Sequence, residues 1–163
     1  MSQTNAIEVK NLVKTYGDVY ALKNVDLNIA DGEYFVLLGP SGGGKTTLLR
    51  SIGGFIRPDS GSVDIKGKNV DNLPPDKRPT SMVFQGFALF PHMSVSENIG
   101  YGLKIQSVDK NIIENKVNRM MDLVGLSGLS NRKPHELSGG QQQRVQLARA
   151  LILENDVLLL DEP

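Results

Sequence analysis

The stretch Gly39-Pro40-Ser41-Gly42-Gly43-Gly44-Lys45-Thr46-Thr47 matches the pattern G-x-x-x-x-G-K-[ST] at every fixed position. Upstream, Tyr34-Phe35-Val36-Leu37-Leu38 is a continuous apolar run, which predicts a strand buried on both faces of a parallel sheet. Downstream, Leu48, Leu49 and Ile52 recur at helical spacing and Gly53-Gly54 supplies a stop, so residues 44–52 predict a helix. The glycines let the backbone turn its N–H groups inward, and the helix start adds partial positive charge, so the loop suits phosphate oxygens. Lys45 is placed to reach β- and γ-phosphates and the Thr46 hydroxyl to ligate Mg²⁺. A chance match in a chain this long is on the order of one in two hundred, which sets a plain glycine-rich turn aside.

At 163 residues the chain is long enough for one domain with a core. Eighteen basic residues balance eighteen acidic ones, so a bulk polyanion such as nucleic acid is not an expected partner. No apolar run is long enough to span a membrane, and the polar start, Met1-Ser2-Gln3-Thr4-Asn5, lacks the blocks of a signal peptide. With no cysteine there are neither disulfides nor thiolate metal sites, which is compatible with a reducing compartment. Any tie to a membrane is therefore expected to be peripheral.

Ile7 and Val9, then Val25, Leu27 and Ile29, alternate with polar residues, the period of half-exposed antiparallel strands. Between them Lys14-Thr15-Tyr16-Gly17-Asp18 predicts a turn; its Tyr16 is either a packing residue or a flat face for stacking adenine. Ser62-Val63-Asp64-Ile65 predicts a short strand, and residues 72–79, with three prolines, a loop. Thr80-Ser81-Met82-Val83-Phe84 predicts a core strand delivering Gln85, which is either solvated or a contact to Mg²⁺ or water. Phe87-Ala88-Leu89-Phe90-Pro91-His92-Met93 either packs inward or offers an apolar socket to a partner. Ile112, Val117, Met120, Met121 and Val124 predict a helix over a small core.

A second anion-seeking helix start follows. Leu137-Ser138-Gly139-Gly140-Gln141 precedes a helical face of Val145, Ala148, Leu151 and Ile152, with Ser138 as the N-cap and two glycines baring backbone N–H groups. Finally Val157-Leu158-Leu159-Leu160 predicts a buried strand ending in Asp161-Glu162. Two carboxylates there are costly unless they meet a cation or donors. Asp161 fits a Mg²⁺ ligand and Glu162 a base that orients and deprotonates attacking water.

Together these residues resemble the ATP-binding subunit of an ABC transporter. Residues 39–47 resemble Walker A, Leu137-Ser138-Gly139-Gly140-Gln141 is identical to the family signature, and Leu160-Asp161-Glu162-Pro163 resembles Walker B. The resemblance covers residues 7–163 and implies an α/β fold: a P-loop NTPase of ABC type with a RecA-like core, an antiparallel β subdomain and a helical subdomain at about 88–150. It implies that Tyr16 stacks adenine, that Gln85 and Asp161 join Thr46 around Mg²⁺, and that Glu162 is catalytic. It also implies ATP as the nucleotide and a head-to-tail dimer in which Ser138, Gly139 and Gly140 grip the γ-phosphate held by the partner. The further partners implied are membrane permease subunits, which take residues 87–93 as their socket, and indirectly a substrate-binding protein; the location is the cytoplasmic face of the membrane. Residues 84–99 look most like importers that work with a soluble binding protein, especially the polyamine (spermidine/putrescine) group, with sugar, iron and sulfate importers sharing much of the pattern.

Three departures bear on that reading: an early stop, the family's strand between the P-loop and Walker B strands, which is expected in the missing part, and Gly53 where an alanine is more usual. Pro163 stands one residue past the catalytic acid, before the family's D-loop and switch histidine, which neither His92 nor His135 matches. The expectation is a chain incomplete at its C-terminus, poorly stable and unable to turn over ATP alone. The competing classes are a soluble ABC protein acting on ribosomes or DNA and a nucleotide-dependent assembly module without catalysis. The short separation of Gly39 from Leu137 argues against chromosome-maintenance relatives, whose motifs lie on either side of long coiled coils.

Overall fold

The structure, a computed structural model, describes residues 5–86 and 88–162. It divides into two compact units, Met1–Thr80 and Ser81–Pro163. In the first, strands β1 (Asn5–Tyr16), β2 (Val19–Ala30), β3 (Ser60–Ile65) and β4 (Lys68–Asn69) form an antiparallel sheet in the order β2-β1-β3-β4. The alternation in the sequence sets its register. Ile7 faces Ile29 and Ile65, and Val9 faces Leu27 and Val63, so one face of β1 and β3 is buried while the residues between point to water. Helix α1 (Lys45–Ile52) buries Leu48, Ser51 and Ile52. Residues 72–79 form the expected loop, with one 3₁₀ turn at Pro75–Lys77. Lys14, Thr15 and Tyr16 belong to β1 rather than to a turn, which is confined to Gly17-Asp18.

The strand expected over Tyr34-Phe35-Val36-Leu37-Leu38 is absent. Those residues carry no regular secondary structure, and Tyr34, Val36 and Leu38 are 90, 63 and 89% exposed. Apolar composition supplies only half of what a buried strand needs; the other half is neighbouring strands to take its N–H and C=O groups. Among the described residues no strand pairs with this segment.

In the second unit, β5 (Thr80–Val83) pairs with β6 (Val157–Leu160). Helices α2 (Val95–Ile105), α3 (Lys110–Leu123) and α4 (Gly139–Leu151) enclose one apolar core containing Val95, Ile99, Leu103, Val117, Met121 and Val145. Helix α3 lies where the spacing predicts, with Met121 buried, but Ile112 is exposed and Ile113 packs on the core in its place. Strand β6 is buried on one face only: Val157 and Leu159 point inward while Leu158 is exposed. Helix α2 was not anticipated, although its start carries a capping box: the Glu97 N–H donates to Ser94 Oγ and the Ser94 N–H to the Glu97 carboxylate. Gly100 and Gly102 let this helix approach its neighbours, since a Cβ would stand 3.0 Å from Ile113 Cγ2 and 2.6 Å from Leu153 Cδ2 respectively.

Asn98, fully buried on α2, holds the preceding segment in place. Its Oδ1 accepts the Phe90 N–H at 2.9 Å, and its Nδ2 faces the carbonyls of Phe90, Met93 and Ser94 at 3.2, 3.2 and 2.9 Å. Asn98→Ala strands these backbone groups and is expected to cost roughly 1–3 kcal/mol. Urea unfolding of the complete protein checks it, and an unmoved midpoint would show that the segment does not need the clamp.

Candidate functional site

The glycine loop is shaped by two left-handed residues, Gly42 (φ 78°) and Gly44 (φ 82°). Gly44 is the N-cap of α1, and the first helical bond runs from the Leu48 N–H to the Gly44 carbonyl at 2.8 Å. A Cβ on Gly44 would lie 2.3 Å from the Ala21 carbonyl oxygen, so the β2 backbone sits directly against the start of the helix. A glycine cap has no side chain to occupy the first-turn N–H groups, and no acidic residue lies in that turn to offset the helix dipole. The Lys45 ammonium folds back over the loop and donates to the carbonyls of Gly39 and Pro40, each at 2.8 Å. Gly39, Pro40, Ser41, Gly42 and Gly43 are exposed, and Thr46 and Thr47 follow on the half-buried first turn.

The other end of α1 is closed by Arg78, which was not singled out because Lys77-Arg78-Pro79 has the composition of a loop. Its buried guanidinium donates to the carbonyls of Ser51, Ile52 and Leu73 at 2.9, 2.8 and 2.9 Å. Burial pushes its pKa below the usual arginine value, and the nearby Asp71 carboxylate opposes that shift. Tyr16, at the end of β1, is 53% exposed, with the Lys14 ammonium 5.7 Å from its ring centroid.

In the second unit, Asp161 is 2% exposed and its N–H donates to the Val83 carbonyl at 2.9 Å. Glu162 is exposed in a left-handed conformation (φ 49°) and accepts a 2.6 Å hydrogen bond from Gln85 Nε2. The structure thus joins Gln85 and Glu162, which the sequence places 77 positions apart. Gln146 on α4, also missed, donates to the Phe84 carbonyl at 3.0 Å and ties the signature helix to the segment that carries Gln85. Ser138 caps α4 as expected: its Oγ accepts the Gln141 N–H, and Gln141 Oε1 accepts the Ser138 N–H at 2.9 Å. Gly139 and Gly140 are exposed on the first turn, and the Leu137 side chain lies in the core. Leu89 and Phe90 pack inward, with Phe90 4.7 Å from the Tyr101 ring and the Arg149 guanidinium 5.3 Å from its centroid. Burial lowers the Arg149 pKa. Phe87 and Pro163 lie outside the described residues.

The family model described as ABC transporter matches residues 22–163. The chain belongs to the ABC transporter family. Within it, the chain is 54% identical, over its whole length, to a spermidine/putrescine import ATP-binding protein of Pseudomonas fluorescens, of which it covers 46%. A protein of the same name from Ruegeria pomeroyi is 55% identical over 99% of the chain and 45% of the relative. The chain therefore spans about half the length of the curated relatives it matches. Among solved structures, a dimeric ATP-binding cassette in a post-hydrolysis state, bound to ADP and phosphate, is 35% identical with a TM-score of 0.88; the match covers 96% of this chain and 74% of that one. A dimeric bacterial ABC transporter cassette is 36% identical at the same TM-score and coverage. The α/β fold expected, an ABC-type P-loop NTPase with an antiparallel sheet, is the fold of this chain.

Gly42→Ala and Gly44→Ala separate backbone strain from collision. Left-handed φ costs each variant about 1–2 kcal/mol. Gly44→Ala adds roughly 1–3 kcal/mol for overpacking against Ala21, whereas Gly42 has open space around it. Chemical denaturation of both variants measures the difference; equal losses would mean that β2 does not constrain the loop.

Proposed function

We propose that this chain belongs to the subunit that binds and hydrolyses ATP to power a binding-protein-dependent ABC importer for polyamines. The glycine loop at the start of α1 carries the reading. Its left-handed turns, glycine cap and Lys45 ammonium make a cradle for a triphosphate, and Lys45 exchanges the Gly39 and Pro40 carbonyls for phosphate oxygens when ATP enters. Tyr16 stacks the adenine. Residues 39–47 bind the phosphates.

The residues assigned to Mg²⁺ carry oxygen donors of the type a hard cation takes: the Thr46 hydroxyl in the first unit and, in the second, the buried Asp161 carboxylate and the Gln85 amide, whose Nε2 binds Glu162. Mg²⁺, when bound, neutralises charge on the phosphates. Glu162 takes a proton from the water that attacks the γ-phosphorus as the bond to the ADP oxygen breaks, and the hydrogen bond from Gln85 orients its carboxylate.

The second unit supplies the signature. Exposed Gly139 and Gly140 at the α4 start, held by the Ser138–Gln141 box next to Leu137, suit the γ-phosphate bound by a partner subunit. The two solved cassettes described as dimeric support the pairing of two such subunits, and the head-to-tail order is the one that brings a signature to the partner's phosphates. Residues 88–150 act as the helical subdomain and 87–93 meet permease subunits, with Leu89 and Phe90 packed inward and Ala88, Pro91 and His92 exposed for that contact. A substrate-binding protein acts indirectly, through those subunits. Among the described residues no helix is long and apolar enough to cross a membrane. The subunit sits at the cytoplasmic face, held there by the permease. The polyamine assignment rests on the likeness to the spermidine/putrescine import ATP-binding proteins of Pseudomonas fluorescens and Ruegeria pomeroyi.

In the complete protein, Glu162→Gln is expected to bind ATP and stay dimeric while turnover falls about 10²-fold or more. Ser138→Ala lowers hydrolysis but leaves nucleotide binding by the monomer intact. Near-normal turnover in the first, or lost monomer binding in the second, would overturn the assigned role. Reconstituted with its permease and binding protein, the wild type is expected to raise ATP turnover when spermidine or putrescine is supplied. Stimulation by a sugar, iron or sulfate instead would remove the polyamine reading and keep the ATPase.

A further inference from the structure

The register of β1 on β2 shifts at Lys14 and Thr15, immediately before Tyr16. At that irregularity the chain is held by a residue from a distant turn. Asp59 Oδ2 accepts the Thr15 N–H at 2.7 Å and the Thr15 hydroxyl at 2.8 Å, while Oδ1 accepts the Lys14 ammonium at 2.8 Å. The Asp59 N–H closes the arrangement by donating to the Val13 carbonyl at 2.8 Å. One exposed carboxylate therefore anchors the two residues that lead into Tyr16, through charge-assisted bonds, while the Asp59 backbone holds Val13. Those bonds, with the one from Lys14 first and the Thr15 N–H and hydroxyl next, lower the Asp59 pKa to about 2, so the acceptor is ionised at any physiological pH.

Lys14, fixed by Asp59, also sets its ammonium 5.7 Å from the Tyr16 ring centroid. Tyr16 is 53% exposed, so its ring is accessible to a stacking partner. The hairpin that carries Tyr16 continues within five residues to Ala21, whose carbonyl abuts Gly44 at the glycine loop. We propose that Asp59 is a positioning residue for nucleobase recognition: it fixes the end of β1 and the Lys14 ammonium so that Tyr16 presents one ring face to adenine. The inference rests on the reading of Tyr16 as the adenine-stacking residue. Asp59 itself touches neither base nor phosphate, so its effect is on the nucleobase share of binding.

The test compares affinities of the complete protein for magnesium ATP and for magnesium tripolyphosphate, which has the phosphates and no base, by isothermal titration calorimetry. Loss of base stacking is worth about tenfold in the ratio of the two. Tyr16→Ala and Asp59→Asn are both expected to lower the ratio by about that factor, and Thr15→Val, which removes only the hydroxyl donor, by less. If Tyr16→Ala lowers the ratio and Asp59→Asn does not, the positioning role is overturned while adenine stacking stands. Equal weakening of both ligands in Asp59→Asn marks a merely structural residue and also overturns it. If Tyr16→Ala leaves the ratio unchanged, the stacking reading itself fails. Should Asp59→Asn not fold, Thr15→Val decides: a ratio equal to that of the wild type overturns the proposal.

Discussion

The contact between Gly44 and the Ala21 carbonyl is the constraint from which the first unit follows. With a Cβ excluded at 2.3 Å and φ held at 82°, the chain turns into α1 at one place only, against the backbone of β2. An eight-residue helix is too short to persist alone in water, so both of its ends are held from outside. β2 supports the start, and the buried Arg78 guanidinium takes the carbonyls of Ser51 and Ile52 at the finish. Gly54 makes room for that guanidinium, since a Cβ there would stand 2.5 Å from Arg78 Nε. The donors of the loop are thereby fixed by packing, without any side-chain cap to compete for them.

The second helix start solves the same problem differently. At α4 the cap is Ser138, and its reciprocal bonds with Gln141 occupy part of the terminus while Gly139 and Gly140 remain exposed. Such a cap is worth about 1 kcal/mol and makes the helix end rigid before anything binds. Rigidity is carried further by Gln146, which reaches from the buried side of α4 to the backbone just ahead of Gln85, and Gln85 in turn holds Glu162. Buried Gln146 and exposed Gln85 thus link the signature helix to the acid at the end of β6 through two hydrogen bonds joined by the backbone between Phe84 and Gln85. Membership of the ABC transporter family accounts for the motifs, and these contacts account for how each motif is held.

Much of this was legible in the residues. The glycine loop, α1, the β1–β2 alternation, β3, the Ser138 cap and β6 are each announced by a period or by a cap acting across three or four positions. Helix α2 was equally local, with Ser94 and Glu97 at box spacing and Val95, Ile99 and Leu103 on one face, although it was not anticipated from the sequence. Asn98 inside that helix has the composition of a surface residue and is fully buried, because four backbone partners replace water around it.

By itself the sequence determined the family, the chemistry on offer and the existence of the glycine loop, α1, β3, α3, α4, β5 and β6, since these depend on residue identity and on neighbours within one turn of a helix or one strand. Tertiary structure alone decided what is joined: Asp59 with Thr15 across 44 positions, Arg78 with Ser51 across 27, and Gln85 with Glu162 across 77. It also decided that residues 34–38, apolar enough for a buried strand, form none among the described residues. The physical reason is common to all of these cases. A hydrogen bond or a sheet edge needs a partner supplied by another part of the chain, and no local period or composition records whether that partner arrives.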